Sequence, residues 1–356
     1  MNNIKRIQAK LCEKDLDAVL VTDEKNQRFA AGFPFTDGLV LVTRSEAFLL
    51  TDSRYIEAAN KTVPDFVQTM LFDREHKLFP MIRALVADKG VKRLGGEEQK
   101  LSYAAYKRYE SLLDMELIPA QCVFDELRPC KTPEELDSMI AAQRIAERAL
   151  EDVLGLLKPG MTEQELAAEI NYRMMKYGAE GNSFDTIAVA GTKTSMPHGI
   201  PGDNVIKAGD FVTMDFGCLK NGYCSDMTRT VAVGFATEEM KKIYSVVLEA
   251  QLAGIAAARA GIPGGDIDAA ARKVIDDAGY GEYFGHSFGH SLGLDIHEMP
   301  VAAPGAEAIM PVGAMVSAEP GIYVPGKFGV RIEDVMYLTE TGCQVITKAP
   351  KALTIV

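Results

Sequence analysis

Ala208-Gly209-Asp210-Phe211-Val212-Thr213-Met214-Asp215-Phe216-Gly217 and Val312-Gly313-Ala314-Met315-Val316-Ser317-Ala318-Glu319-Pro320-Gly321 follow one pattern. In each, a glycine precedes a carboxylate by six positions and another glycine follows it by two. The residues between are apolar or β-branched and read as a strand. The likeness extends outward. Lys158-Pro159-Gly160-Met161-Thr162 before one helical stretch matches Ala260-Gly261-Ile262-Pro263-Gly264 before another, and His198-Gly199-Ile200-Pro201 matches His297-Glu298-Met299-Pro300. A second strand in each half carries a further acid, Asp226 in the first and Glu333 in the second. Self-similarity in fixed order marks a duplicated unit. Two αβ halves with a pseudo-two-fold relation would bring these acids onto one sheet surface.

Asp215 and Glu319 thus interrupt apolar runs, where an unpaired carboxylate costs several kcal/mol. Lys220-Asn221-Gly222 reads as a hairpin turn that folds Asp226 back beside Asp215. Period-two geometry then puts Thr213 on the face of Asp215, and Thr228 and Thr230 on the face of Asp226. Any one acid fits an ion pair or a strand-end cap. Four placed symmetrically make such a reading much weaker.

Upstream, residues 18–22, 38–43 and 47–51 read as strands. Residues 77–89 and 102–113 read as helices, the second capped by Ser102 after a Gly95-Gly96 turn. This is a small α/β domain. Pro129 and the helix start Thr132-Pro133-Glu134-Glu135 place the boundary so that residues 1–127 form the N-terminal domain and 128–356 the catalytic one. The first helix of that second domain stops at Lys158-Pro159-Gly160, and Thr162 with Glu165 forms a capping box for the next. The fold class is α/β, in the α+β arrangement of a small domain followed by a duplicated one.

The 356 residues are 47% apolar and 25% charged, the balance of a globular chain. Acids outnumber bases 50 to 38, for a formal charge of −12. Such a field does not attract nucleic acid or anionic lipid. No run approaches the roughly 20 apolar residues of a membrane span, and the start carries no signal-peptide pattern. Six cysteines without a CxxC pair fit a reducing compartment, so a cytoplasmic location is expected.

Histidine is scarce, with five in the chain. His286, His290 and His297 share one glycine-rich segment, and His198 lies in Pro197-His198-Gly199. Histidines held beside glycine and proline in the acid-bearing half point to catalysis. His76, in a charged run, reads as a surface residue.

Taken in order, several motifs resemble the pita-bread metallopeptidases: Pro197-His198-Gly199, Met214-Asp215-Phe216-Gly217, Ser225-Asp226-Met227-Thr228-Arg229-Thr230, Gly289-His290-Ser291-Leu292-Gly293, Ala318-Glu319-Pro320-Gly321 and Arg331-Ile332-Glu333-Asp334. Within that family they resemble the proline-specific branch, aminopeptidase P and prolidase (Xaa-Pro dipeptidase). Thr51-Asp52-Ser53-Arg54-Tyr55 resembles the N-terminal domain of the branch, so the likeness spans nearly the whole chain.

The resemblance implies two divalent metals held by Asp215, Asp226, His290, Glu319 and Glu333, and cleavage of the Xaa-Pro bond at a free N-terminus. An oxygen-rich donor set suits Mn²⁺, with Co²⁺ and Zn²⁺ also compatible. Four carboxylates and a neutral imidazole would balance two divalent cations. Glu319 is expected to shuttle a proton, and His198 and His297 to stabilise the oxyanion. Substrate contacts are expected from His198, His286, His297, Tyr323 and Arg331. The implied partners are short proline-containing peptides and a second copy in a homodimer.

No Lys or Arg lies between Lys273 and Lys327, where dipeptidases of this branch often place an arginine for the proline carboxylate. Two alternatives follow from the same fold. A non-catalytic interaction protein would have lost ligands, and an aminopeptidase without proline specificity, such as a methionine aminopeptidase, usually lacks an N-terminal domain of this size. Creatinase-like hydrolases share both domains but do not keep the ligand set.

Overall fold

The computed structural model describes residues 2–356, which divide into two compact units after Arg128. The first is built on a six-stranded mixed sheet in the order Gln68–Leu71, Ala47–Thr51, Gly38–Thr43, Ala18–Val21, Leu94–Gly96, Leu117–Pro119. The central strands Ala18–Val21 and Gly38–Thr43 are apolar on both faces up to the terminal Thr43, so both faces must be covered. Ala18, Leu20, Leu39 and Leu41 pack with Ile82 and Leu113 of two covering helices. The alternate residues Val19, Val21, Val40 and Val42 are equally buried. Gly95 and Gly96 form a strand instead of the expected turn. A Cβ on Gly95 would lie 2.6 Å from that of Ala120, so the glycine serves close approach of a neighbouring segment. Ser102 does cap its helix, accepting from Ala105 N at 3.2 Å.

The second unit shows the duplication. Helices Pro133–Leu154 and Glu163–Lys176 cover a three-stranded antiparallel sheet ordered Met227–Ala232, Phe211–Phe216, Ile187–Ala190. Helices Glu238–Ala257 and Gly264–Asp277 belong to the second half, whose five-stranded sheet runs Glu298–Ala302, Gly289–Ser291, Met315–Ala318, Asp334–Leu338, Cys343–Val345. A hairpin of Gly321–Val324 and Phe328–Arg331 completes it. The expected capping box forms at Thr162 with Glu165, and the helix start at Thr132 forms one as well, with Glu135. Thr132→Ala is expected to lower stability by about 1 kcal/mol. The readout is a lower denaturant midpoint at unchanged slope, and an unmoved midpoint would show that the helix start needs no side-chain acceptor.

Equivalent backbone bonds recur in the halves. Gly160 N donates to Ile206 O and Gly261 N to Met310 O, each at 2.9 Å. Gly209 N donates to Val233 O at 2.7 Å and Gly313 N to Leu338 O at 2.9 Å. Gly209 and Gly313 have φ of +90° and +85°, a region that residues with a Cβ avoid. That is why glycine recurs six residues before each acid.

Register alters one expected correspondence. Asp215 pairs with Thr228, and Ala318 with Asp334, so the register counterpart of Glu333 is Thr228 and not Asp226. Nor do all four acids lie inside strands. Asp215 does, whereas Asp226 precedes Met227–Ala232, Glu319 follows Met315–Ala318, and Glu333 occupies the break between Phe328–Arg331 and Asp334–Leu338. At a strand end the backbone leaves the ladder, so side chains from several strands can aim at one point. No helix among the described residues is long and apolar enough to cross a membrane.

Candidate metal centre

The strand ends bring Asp226, His290 and Glu333 together, with one donor atom of each within 4.8 Å of the others. His290 Nε2 lies 3.6 Å from Asp226 Oδ2 and 3.3 Å from Glu319 Oε1. Asp215 is tied in through Arg331, whose Nη2 donates to Asp215 Oδ2 at 2.5 Å and whose Nε donates to Thr228 Oγ1 at 3.0 Å. Thr228 Oγ1 in turn donates to Glu333 Oε2 at 2.7 Å. The five residues expected as ligands therefore meet at one site.

Burial pushes Asp226 well above the usual carboxylate range, and the charges of Asp215 and Glu319 push the same way. Burial also raises Glu333, reinforced by Asp226, Glu319 and Asp215, and it raises Glu319. Among the described residues, the buried oxygens Asp215 Oδ1 and Glu333 Oε1 have no hydrogen-bond partner. His290 Nδ1 lies 3.1 Å from the carbonyl oxygen of Ser291, which only accepts, so Nδ1 carries the proton. Its Nε2 lone pair then faces the carboxylates, the orientation a metal-binding imidazole needs. Burial lowers the pKa of His290, which keeps the ring neutral. Crowded like charges, orphaned oxygens and an aimed lone pair fit divalent cations.

Comparison with known proteins places this site. Residues 137–340 match the model of metallopeptidase family M24, and residues 3–130 match the creatinase/prolidase N-terminal domain. The chain belongs to metallopeptidase family M24. It is 40% identical to the Xaa-Pro dipeptidase from Bacillus anthracis, covering 99% of each chain with a TM-score of 0.94. It is 34% identical to the X-Pro aminopeptidase from Thermotoga maritima, covering 96% of this chain and 98% of that one with a TM-score of 0.92. The Xaa-Pro dipeptidase of Pyrococcus furiosus is 35% identical over 344 residues, 96% of each chain. As an M24 metallopeptidase the protein is an enzyme that uses divalent metal, and its fold is the two-part α/β architecture of that family.

In this M24 chain two of the expected substrate contacts brace the cluster. Arg331 Nη1 donates to Tyr323 OH at 2.9 Å and to Pro197 O at 3.4 Å, so every nitrogen of its guanidinium is engaged. Tyr323, pushed up to about 12 by burial, keeps its proton and donates to His286 Nε2 at 2.9 Å. His286 Nδ1 donates to Ser287 O at 2.8 Å. Burial lowers its pKa, so the ring is neutral.

His198 and His297 are exposed beside the cluster. The His297 ring packs edge-on against His290, with centroids 4.4 Å apart. Burial, then the neighbouring imidazoles of His290 and His198, lower the pKa of His297.

Sequence reading does not single out the groups that hold these side chains. Ser317 Oγ accepts from His290 N at 2.9 Å and donates to Glu319 Oε1 at 3.0 Å. Its signal was its place two residues before Glu319, on the same strand face. Asp268 and Arg272 pair at 2.8 Å and grip the His286 loop, where Arg272 donates to Phe284 O and His286 O, and Asp268 accepts from Phe288 N. Lys131 and Glu298 form a buried pair at 2.8 Å next to His297. Lys131 and Glu298 stand 167 residues apart, so sequence offers no local pattern for that pair.

Proposed function

We propose that this enzyme hydrolyses the Xaa-Pro bond at a free peptide N-terminus with two divalent cations, Mn²⁺ foremost and Co²⁺ or Zn²⁺ also compatible. The observation that carries the reading is the meeting of Asp226, His290 and Glu333, with Glu319 and Asp215 beside them, around orphaned carboxylate oxygens. The similar proteins named Xaa-Pro dipeptidase and X-Pro aminopeptidase support the substrate class. Bound there, two such cations polarise the scissile carbonyl and acidify the attacking water.

The chain's own groups do the rest. Arg331 pairs with Asp215 and holds it in place, so its positive charge offsets one of the four carboxylates that would face the cations. Glu319, with one oxygen fixed by Ser317, takes the proton of the water and delivers it to the leaving nitrogen. His198 and His297 flank the substrate and donate to the oxyanion. A bond before proline is a tertiary amide without an N–H. Machinery that acts on the carbonyl needs no such handle. The same reading includes a homodimer in the cytoplasm.

The carboxylate anchor decides peptide length. Arg331 is engaged throughout, and Lys327 pairs with Glu239 at 2.7 Å on the surface. We therefore expect Xaa-Pro-Yaa peptides to be cleaved at least as well as Xaa-Pro dipeptides, and Xaa-Ala analogues far more slowly. The measurement is kcat/KM for the three classes under one metal. A strong dipeptide preference that Arg331→Ala abolishes would make Arg331 the anchor. Equal rates for proline and alanine substrates would remove the proline specificity.

A further inference from the structure

We propose that Glu163 is the positioning residue that sets His198 for catalysis. The inference rests on the role given above to His198. Glu163 opens the Glu163–Lys176 helix and is fully buried, with 0% exposure. Its Oε1 accepts from Ala190 N and Asn204 Nδ2, both at 2.9 Å, and its Oε2 from Lys193 Nζ at 2.7 Å and Gly202 N at 3.2 Å. Those donors stand on both sides of His198. One carboxylate therefore closes residues 190–204 into a loop with its two limbs fastened together.

The middle of the loop is fastened to the cluster side. Thr194 Oγ1 accepts from Gly329 N at 2.8 Å, and Pro197 O accepts from Arg331 Nη1 at 3.4 Å, the same guanidinium that holds Asp215. His198 follows Pro197 and its side chain is exposed. An exposed imidazole is placed chiefly by the backbone that carries it.

The duplication shows that the fold does not require this carboxylate. Glu163 N donates to Asn204 O at 3.1 Å, and its counterpart Gly264 N donates to Ala308 O at 3.1 Å; Gln164 N and Gly265 N bond Gly202 O and Ala306 O in the same way. The helix start and the returning segment thus form equally well around a glycine. The first half adds a buried acid at that point, and the loop it fastens carries His198. A buried carboxylate needs compensation by charge and hydrogen bonds, which Lys193 and three further donors supply.

The test is a double-mutant cycle on full-length, metal-loaded enzyme, with metal affinity measured separately by competition with a chelating dye. Glu163→Gln puts an amide NH₂ against Lys193 Nζ and Gly202 N, or against Ala190 N and Asn204 Nδ2, and loosens the loop. We expect kcat to fall by about 10- to 100-fold, the scale of a misplaced group near 1 Å. KM and metal affinity should stay as in the wild type. In the His198→Ala background Glu163→Gln should cost nothing more, since the group it positions is gone. Asn204→Ala, which removes one exposed donor, gives the same cycle with a smaller loss if Glu163→Gln does not fold. An equal loss in both backgrounds, weakened metal binding, or an unchanged kcat would overturn the proposal while leaving the role of His198 standing. A fully active His198→Ala enzyme would overturn both.

Discussion

Asp226→Ala and Glu333→Ala are expected to lose bound metal and activity together while the fold persists. Each removes a donor from the group of three side chains, Asp226, His290 and Glu333, whose ligand atoms lie within 4.8 Å of one another. Loss of an outer-shell partner already costs 10- to 100-fold in metal affinity as an order of magnitude, and loss of a direct ligand costs more. The fold survives because these carboxylates oppose each other. Burial and like charges push both well above the ordinary carboxylate range. Glu333→Gln removes the charge and keeps an acceptor for Thr228 Oγ1, so the metal-free variant should be at least as stable as the metal-free wild type. Adding metal then separates them. The wild type gains stability as RT ln(1 + [L]/Kd), and the variant does not. Metal content after dialysis, thermal midpoint with and without added Mn²⁺, and kcat on a Xaa-Pro peptide check the three claims. Wild-type metal content and activity in either alanine variant would sink the two-metal reading.

What the sequence shows and what it hides divide along the range of the interactions. The capping boxes at Thr132 and Thr162 are complete within four residues, and both form. The Asn221-Gly222 turn has φ of +50° and +76°, as its composition requires. Glycines Gly209 and Gly313 are legible because a positive φ admits few other residues. Gly95 and Gly96 mislead for the same reason, since glycine also serves close packing between strands. Register is not local, so that Thr228 rather than Asp226 is the counterpart of Glu333 emerges only once the strands of each half are paired.

The buried charges are the clearest case. Arg229 and Asp334 pair at 2.8 Å with both side chains essentially inaccessible, and Arg229 also donates to the carbonyls of Thr228, Glu333, Ala349 and Pro350. In sequence each is one more charge in a polar-looking strand. In the fold they link the two halves directly beside Thr228 and Glu333. Arg331 repeats the lesson for function. In sequence it is a cation near the site, and only the fold shows its guanidinium bonded to Asp215, Thr228, Tyr323 and Pro197.

His297→Ala is expected to keep its metal and lose catalysis. His297 is exposed, while His290 is fixed independently by Ser291 O and by Ser317 Oγ on its backbone. Truncation therefore leaves the His290 lone pair aimed as before. The loop itself stays tied by the buried Lys131–Glu298 pair and by Asp295 N donating to Glu298 Oε1 at 3.2 Å. On the proposed reading, what disappears is the N–H that would donate to the oxyanion. Removing one oxyanion donor lowers kcat by about 10²–10³, or roughly 2.7–4 kcal/mol of transition-state stabilisation. Because that interaction strengthens only as charge develops, kcat and kcat/KM should fall by the same factor with KM near the wild-type value. His198→Ala should behave alike if the two repeat-related histidines share the task. Loss of stoichiometric metal on His297→Ala would make His297 a ligand and displace one of the five residues assigned here. A wild-type kcat would take it out of the reaction altogether.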